Sequence, residues 1–228
     1  MRGLMVCDRI QRAAGRCRPA MSDSPAMSAR PLPDNLRARL ELAAEVFAER
    51  GLDATRIDDV AKATGIPRAT LYYYFPGKEH ILAHLLGRTL TAMTARLEAA
   101  ASAPGTGRRR VERLVHEHLA FIASHGPTYR LLFAELGKAA SLIDIAAGVD
   151  RAVLAPLRAA LRQAVDDRSL AIEDVAVTAS VVYGAVLVAG METLLRDDGD
   201  LEAAANRHAE ALLKVLLSGL EPREEDVR

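Results

Sequence analysis

The residues best suited to chemistry fall in one short stretch. Arg56, Arg68, Thr70, Tyr73, Tyr74 and Lys78 supply cations, a hydroxyl and aromatic hydrogen-bonding groups. That set suits phosphate oxygens and base edges. Four of the nine aromatic residues stand together as Tyr72-Tyr73-Tyr74-Phe75. Adjacent tyrosines at a helix end make an odd surface without a partner. Charge count adds nothing, because residues 34–78 hold as many basic as acidic side chains. Position matters instead: Arg56 and Arg68 lie at two expected helix starts and Lys78 just past the third helix, where a phosphate meets a cation and free helix N–H groups.

The elements that must position these groups follow from spacing. Leu36, Leu40, Ala43, Ala44 and Phe47 share one helical face, with Asp34 as N-cap and Gly51 as stop. A short helix is expected from about Arg56 to Thr64, with Thr55 capping and Asp58 reaching back as in a capping box. Gly65 ends it, and Pro67 opens a third helix at its first position. Ile57, Val60 and Ala61 give the second helix an apolar side, and Ile66, Leu71 and Phe75 the third. Two short helices joined by a turn containing Gly65 make a helix-turn-helix.

Residues 36–82 resemble the DNA-binding domain of the TetR family of transcriptional regulators. The family pattern stands here without gaps as Gly51, Thr55, Val60-Ala61, Gly65-Ile66, Thr70-Leu71-Tyr72, Tyr74-Phe75 and Lys78-Glu79. The resemblance implies that Thr55, Arg56, Tyr72, Tyr74 and Lys78 touch phosphates. It also implies that Arg68, Ala69, Thr70 and Tyr73 approach base edges, the small Ala69 letting the helix sit deep. Two departures stand out. Pro67 replaces a frequent serine cap, and Asp58 is an acid where a base is common; Asp58 is expected to be occupied capping its own helix.

After Pro76-Gly77 a long helix is expected from about Lys78 to Ala101, then a loop at 102–107. Further helices are expected near 108–124, 128–137, 141–166, 173–195 and 200–218, with Pro156 kinking or dividing the third of these. No stretch reads as a strand. The fold class is therefore all-α; the resemblance implies a three-helix DNA-binding domain at 34–80 and a helical ligand-binding and dimerisation domain at 81–220, followed by a charged tail at 221–228.

Within the second domain the resemblance implies a four-helix dimer interface, to which Ala179, Tyr183, Gly184, Leu187, Leu212, Val215 and Leu216 are assigned. Monomer core is the competing reading of the same helices. Phe121, Tyr129, Leu132, Phe133, Leu136 and Met191 are the candidates for an apolar effector pocket. His116, His118 and His125 lack a matched ligand set, and the first two point about 200° apart on a helix, so no metal site is assigned and no cofactor is expected.

Composition bounds the remaining classes. The 228-residue chain has zero formal net charge, 50% hydrophobic and 26% charged residues, which is ordinary for a soluble globular protein. Cys7 and Cys17 offer neither a disulfide framework nor zinc spacing, so a cytoplasmic setting is expected. Residues 1–33 carry six arginines, two aspartates and four prolines. They read as a disordered basic extension, with a start at Met21 or Met27, or an arm into a minor groove, both open. The apolar run from Val175 to Met191 is read as an interface helix rather than a membrane span, and the first residues are not read as a signal peptide.

Enzyme signatures are missing from the chain: no Glu-x-x-His pair for a di-iron site, no Gly-x-Ser-x-Gly, no P-loop and no His-Glu-x-x-His. The resemblance implies a homodimeric regulator, a repressor released from a palindromic DNA operator by a small molecule. The rivals are a dimeric helical module that does not read DNA, and an activator.

Overall fold

The computed structural model describes residues 31–135, 148–195 and 199–220. Among these residues every regular element is helical: α1 (Asp34–Leu40), α2 (Ala43–Ala54), α3 (Ile57–Thr64), α4 (Arg68–Tyr74), α5 (Lys78–Ser102), α6 (Gly107–Ser124), α7 (Gly126–Glu135), α8 (Ala155–Asp166), α9 (Val175–Leu195) and α10 (Leu201–Ser218).

The face read from Leu36 to Phe47 is real, but it is shared by two helices. At Glu41-Leu42 the backbone tightens, Leu42 N–H bonding to the Arg39 carbonyl at 3.2 Å, so α1 and α2 meet at a joint. The Arg88 side chain, from α5, clamps that joint by a 2.6 Å ion pair to Glu41. Leu40, Ala43, Ala44 and Phe47 then close a core with Val60, Ile66, Leu71 and Phe75, completed by Ile81, Leu82 and Leu85 of α5.

A second core gathers Met93 and Leu97 of α5 with α6, α8, α9 and α10. Its α6 stripe is Val111, Leu114, Val115, His118, Leu119 and Ile122, all buried. Thr106 caps α6, its side chain accepting from Arg109 N–H, and Asp200 caps α10 by accepting from Ala203 N–H at 2.9 Å. Both are short oxygen-bearing side chains that occupy otherwise unpaired amides at a helix start.

Helix α7 belongs to both cores. It packs against α2, and its Leu131 is fully buried in the first core. Its Tyr129 is buried in the second.

Of the helix expected over 141–166, the first part lies outside the described residues. The rest runs on without a break, with a π-turn just before Pro156 rather than a division. A π-helical turn at Asp150–Leu154, closed by Ala155 N–H on the Asp150 carbonyl, precedes α8. Pro156 has no N–H to continue the ordinary ladder, and the wider turn absorbs the missing bond.

Helix α9 is long and apolar enough to cross a membrane by length and composition, with only 22% of its apolar window buried within the chain. Its unburied side carries Val177, Val181, Gly184, Val188, Met191 and Leu195. On α10, Val215 is 73% exposed.

Candidate nucleic-acid interface

Three polar ties hold the helix-turn-helix in shape. Gly65 stands at φ +62°, the left-handed conformation that ends α3. The Arg39 guanidinium reaches over from α1 to donate to the Thr64 carbonyl at 3.0 Å and also to the Gly65 carbonyl. It thereby occupies acceptors that the end of α3 leaves unpaired. The Thr64 hydroxyl, itself donating to Val60 O at 2.7 Å, accepts Ile66 N–H at 3.2 Å. Finally the Lys78 ammonium, opening α5, donates at 2.9 Å to the carbonyls of both Asp53 and Thr55.

The cap of α3 corrects the expectation from sequence. The helix starts one residue later, with Arg56 as N-cap. Asp59, not Asp58, accepts the Arg56 N–H at 2.9 Å. That amide and the nearby Arg50 guanidinium, bound at 2.8 Å, hold the Asp59 carboxyl below the usual carboxylate range. Asp58 instead pairs with Arg68 across the turn at 2.9 Å. Pro67 likewise is the N-cap of α4 rather than its first helical residue, so its extended backbone, not a missing amide, sets the start.

Thr55 is the second correction. It is fully buried; its hydroxyl donates to the Gly51 carbonyl at 2.7 Å, and its own carbonyl takes the Lys78 ammonium. Its side chain fixes the entry to α3 and does not face solvent. Lys78 is half-buried for the same reason.

The remaining residues form the outer face of α3 and α4. Arg56, Arg68 and Ala69 are exposed, and Thr70 is half-buried. Tyr72 and Tyr73 are 50% and 58% exposed. Tyr74 lies partly against the first core, its ring edge-on to Tyr73 with centroids 5.0 Å apart. Burial of Leu71 beneath them fixes which side of this two-turn helix looks out. The face can offer a guanidinium and phenol hydroxyls to a duplex, with the small Ala69 permitting close approach.

In the second domain the structure sorts the expected residues differently. Phe121 and Tyr129 are buried, and Leu132 and Phe133 are half-buried against the same core. Leu136 lies outside the described residues. Met191 is a correction: it sits on the exposed side of α9, 41% accessible, because the inward stripe of that helix passes through Ala179, Val182, Val186 and Gly190. Ala179 is the converse correction. It is fully buried in the chain's own core. Tyr183 also turns inward, its ring parallel to that of His118 at 6.1 Å. Gly184 and Val215 are exposed, while Leu187, Leu212 and Leu216 are half-buried along the same margin.

Sequence reasoning passed over His118 as a site residue. It is buried, and burial pushes its pKa down from 6.5 to about 4. The signal was present: His118 falls on the apolar stripe of α6. Among the described residues no cluster of three or more His, Cys, Asp or Glu side chains is placed to hold a metal ion.

The molecule joins a braced helix-turn-helix with an exposed outer face to a helical second domain. Residues 40–85 match the family described as bacterial regulatory proteins, tetR family. A stretch of 57 residues is 47% identical to the HTH-type transcriptional repressor KstR2 of Mycobacterium tuberculosis, covering 25% of this chain and 28% of that protein. The chain thus spans little more than a quarter of that curated relative's length.

Solved structures extend the likeness over the fold. That of the ketosteroid transcriptional regulator KstR2 of Mycobacterium tuberculosis superposes with a TM-score of 0.70 at 25% identity, over 86% of this chain and 99% of that one. The TetR family transcriptional regulator PfmR from Thermus thermophilus gives 0.67 at 27% identity, over 82% and 97%.

Proposed function

We propose that this chain is a dimeric, sequence-specific DNA-binding regulator, acting as a repressor that a small molecule releases from its operator. The observation that carries the reading is the braced face of α3 and α4. Arg39, Thr64 and Lys78 spend their hydrogen bonds on the backbone of the turn, which leaves Arg56, Arg68, Tyr72 and Tyr73 presented on one exposed surface. Two exposed tyrosines beside two arginines suit phosphate oxygens and base edges.

Dimerisation through α9 and α10 supports the same reading. Val181, Val188 and Leu195, spaced seven apart along one side of α9, and Val215 on α10 are each more than half exposed, and apolar residues exposed together on a helix face mark an interaction site. Covering it with a second copy also accounts for α9 without a membrane. A two-fold pair of recognition helices then meets successive major grooves about 34–36 Å apart on a palindrome. Repression is the sense carried by the name of KstR2.

Fluorescence anisotropy against DNA flanking the chain's own gene, compared with scrambled DNA at two salt concentrations, tests the proposal. Tight, sequence-dependent and salt-sensitive binding is expected. A failure there, followed by failure of random-sequence selection with the unliganded protein, overturns it.

A further inference from the structure

Two small cavities flank one buried polar pair. The first, about 10 Å³, is lined by His118 and Tyr183 among aliphatic side chains that include Leu114, Val115, Val153 and Val186. The second, about 20 Å³, lies beside Tyr129, Met93 and Leu132, with Thr89 and Thr128 also on its wall. Each has room for about one water molecule. His118 lines the first and Tyr129 the second, both 3% exposed.

The pair is poorly served by its surroundings. The Tyr129 hydroxyl donates to the Met93 thioether at 2.8 Å, and a thioether is a weak acceptor. Its contact with His118 Nε2 is 3.5 Å, beyond the span of a good hydrogen bond. A buried hydroxyl with such partners recovers little of what it lost on leaving water. Its acceptor is also easily moved, since methionine has three rotatable side-chain bonds and a soft sulfur. Swinging Met93 aside frees the Tyr129 hydroxyl.

Charge at this place is equally telling. Neither lining contains Lys, Arg, Asp or Glu among the described residues, and burial holds His118 neutral. A carboxylate or phosphate brought here would lose its hydration and meet no counter-charge.

We infer that His118 and Tyr129 are the polar anchor of the effector site, and that the part of the effector buried there is uncharged and apolar except for one hydrogen-bonding oxygen. This rests on the reading of the second domain as the sensing one. The oxygen accepts from the Tyr129 hydroxyl in place of Met93 sulfur, while the apolar remainder merges and expands the two cavities.

Titration calorimetry and thermal unfolding of the full chain, without DNA, test this with three probes: octan-2-one, octanoate and octane. Octan-2-one is expected to bind and raise the melting temperature, with octanoate and octane at least about ten-fold weaker. Tyr129→Phe removes only the hydroxyl; it should fold with unchanged or higher apo stability and bind octan-2-one about ten-fold less tightly, the worth of one buried hydrogen bond. Met93→Leu removes the competing acceptor and should tighten octan-2-one binding.

Octanoate binding as tightly as the ketone overturns the inference, as does full ketone affinity in Tyr129→Phe or no binding of any probe. Operator binding is measured separately. Ketone binding without operator binding overturns the regulator reading alone; operator binding with no probe bound overturns this site alone.

Discussion

Asp58 and Arg68 are bound to each other at 2.9 Å across the helix-turn-helix, with more than half of each side chain in solvent. The cation most favourably placed on the recognition helix is therefore paired with an acid before any DNA arrives. An exposed pair of this kind contributes only about 0–1 kcal/mol to folding, so its weight falls on binding.

Asp58→Asn should leave the melting temperature nearly unchanged and strengthen binding to any duplex several-fold. The plot of log affinity against log salt should steepen by about one unit, as one more phosphate is neutralised. Anisotropy titrations at four salt concentrations check both expectations. Weaker operator binding by the variant would mean that Asp58 aims Arg68 at a base edge.

Gly65→Ala should destabilise the first domain. The position stands at φ +62°, and an added Cβ would lie 2.8 Å from the Arg39 guanidinium that ties the turn. Left-handed backbone costs a residue with a Cβ about 1–2 kcal/mol, and displacing Arg39 adds to that. Gly65→Asn, which tolerates this conformation better, should cost less. Urea midpoints followed by helical circular dichroism rank the three proteins.

Acid should weaken the fold through His118. Its pKa falls from 6.5 to about 4 on burial, so the folded state resists a proton that the unfolded chain accepts. The contribution is fully present above pH 6.5, declines as pH falls towards about 4 and then levels; its full size is on the order of 3 kcal/mol. Melting temperatures of the wild type and His118→Phe across this range should diverge with acidification, the wild type falling more steeply, since the variant has no such proton to exclude.

Val215→Glu should break the dimer and spare the protomer. Val215 is 73% exposed on α10, so the carboxylate meets water in a single chain and an apolar partner surface in a pair. Light scattering should report a monomer with native helix content, and operator affinity should fall by more than ten-fold as the two half-sites are no longer held together. A dimer that survives both Val215→Glu and Val181→Glu would place the interface elsewhere.

The parts legible in sequence were those written in periodicity. The face through Leu40, Ala43, Ala44 and Phe47 and the buried Leu71 of α4 emerged as expected. The start of α3 did not, because Asp58 and Asp59 are adjacent and either can close a cap. What decided it was tertiary: Arg50 binds Asp59, and Lys78 draws the Thr55 carbonyl inward. Helix α9 posed the opposite difficulty. With apolar residues on nearly every side, nothing in its spacing told that Ala179 and Tyr183 turn inward while Met191 turns out.

Helix α7 is a wall shared by two chambers. Tyr129 and Leu131, two residues apart, point about 200° away from each other, the first into the second core and the second into the first. Neither chamber can swell at this wall without leaning on the other, so a molecule wedged against Tyr129, as proposed above, would press through the thickness of one helix onto the floor of the first domain. A signal carried this way needs no chain of relays. It also means that the wall cannot be re-tailored for a new ligand on one side without the other side feeling the change.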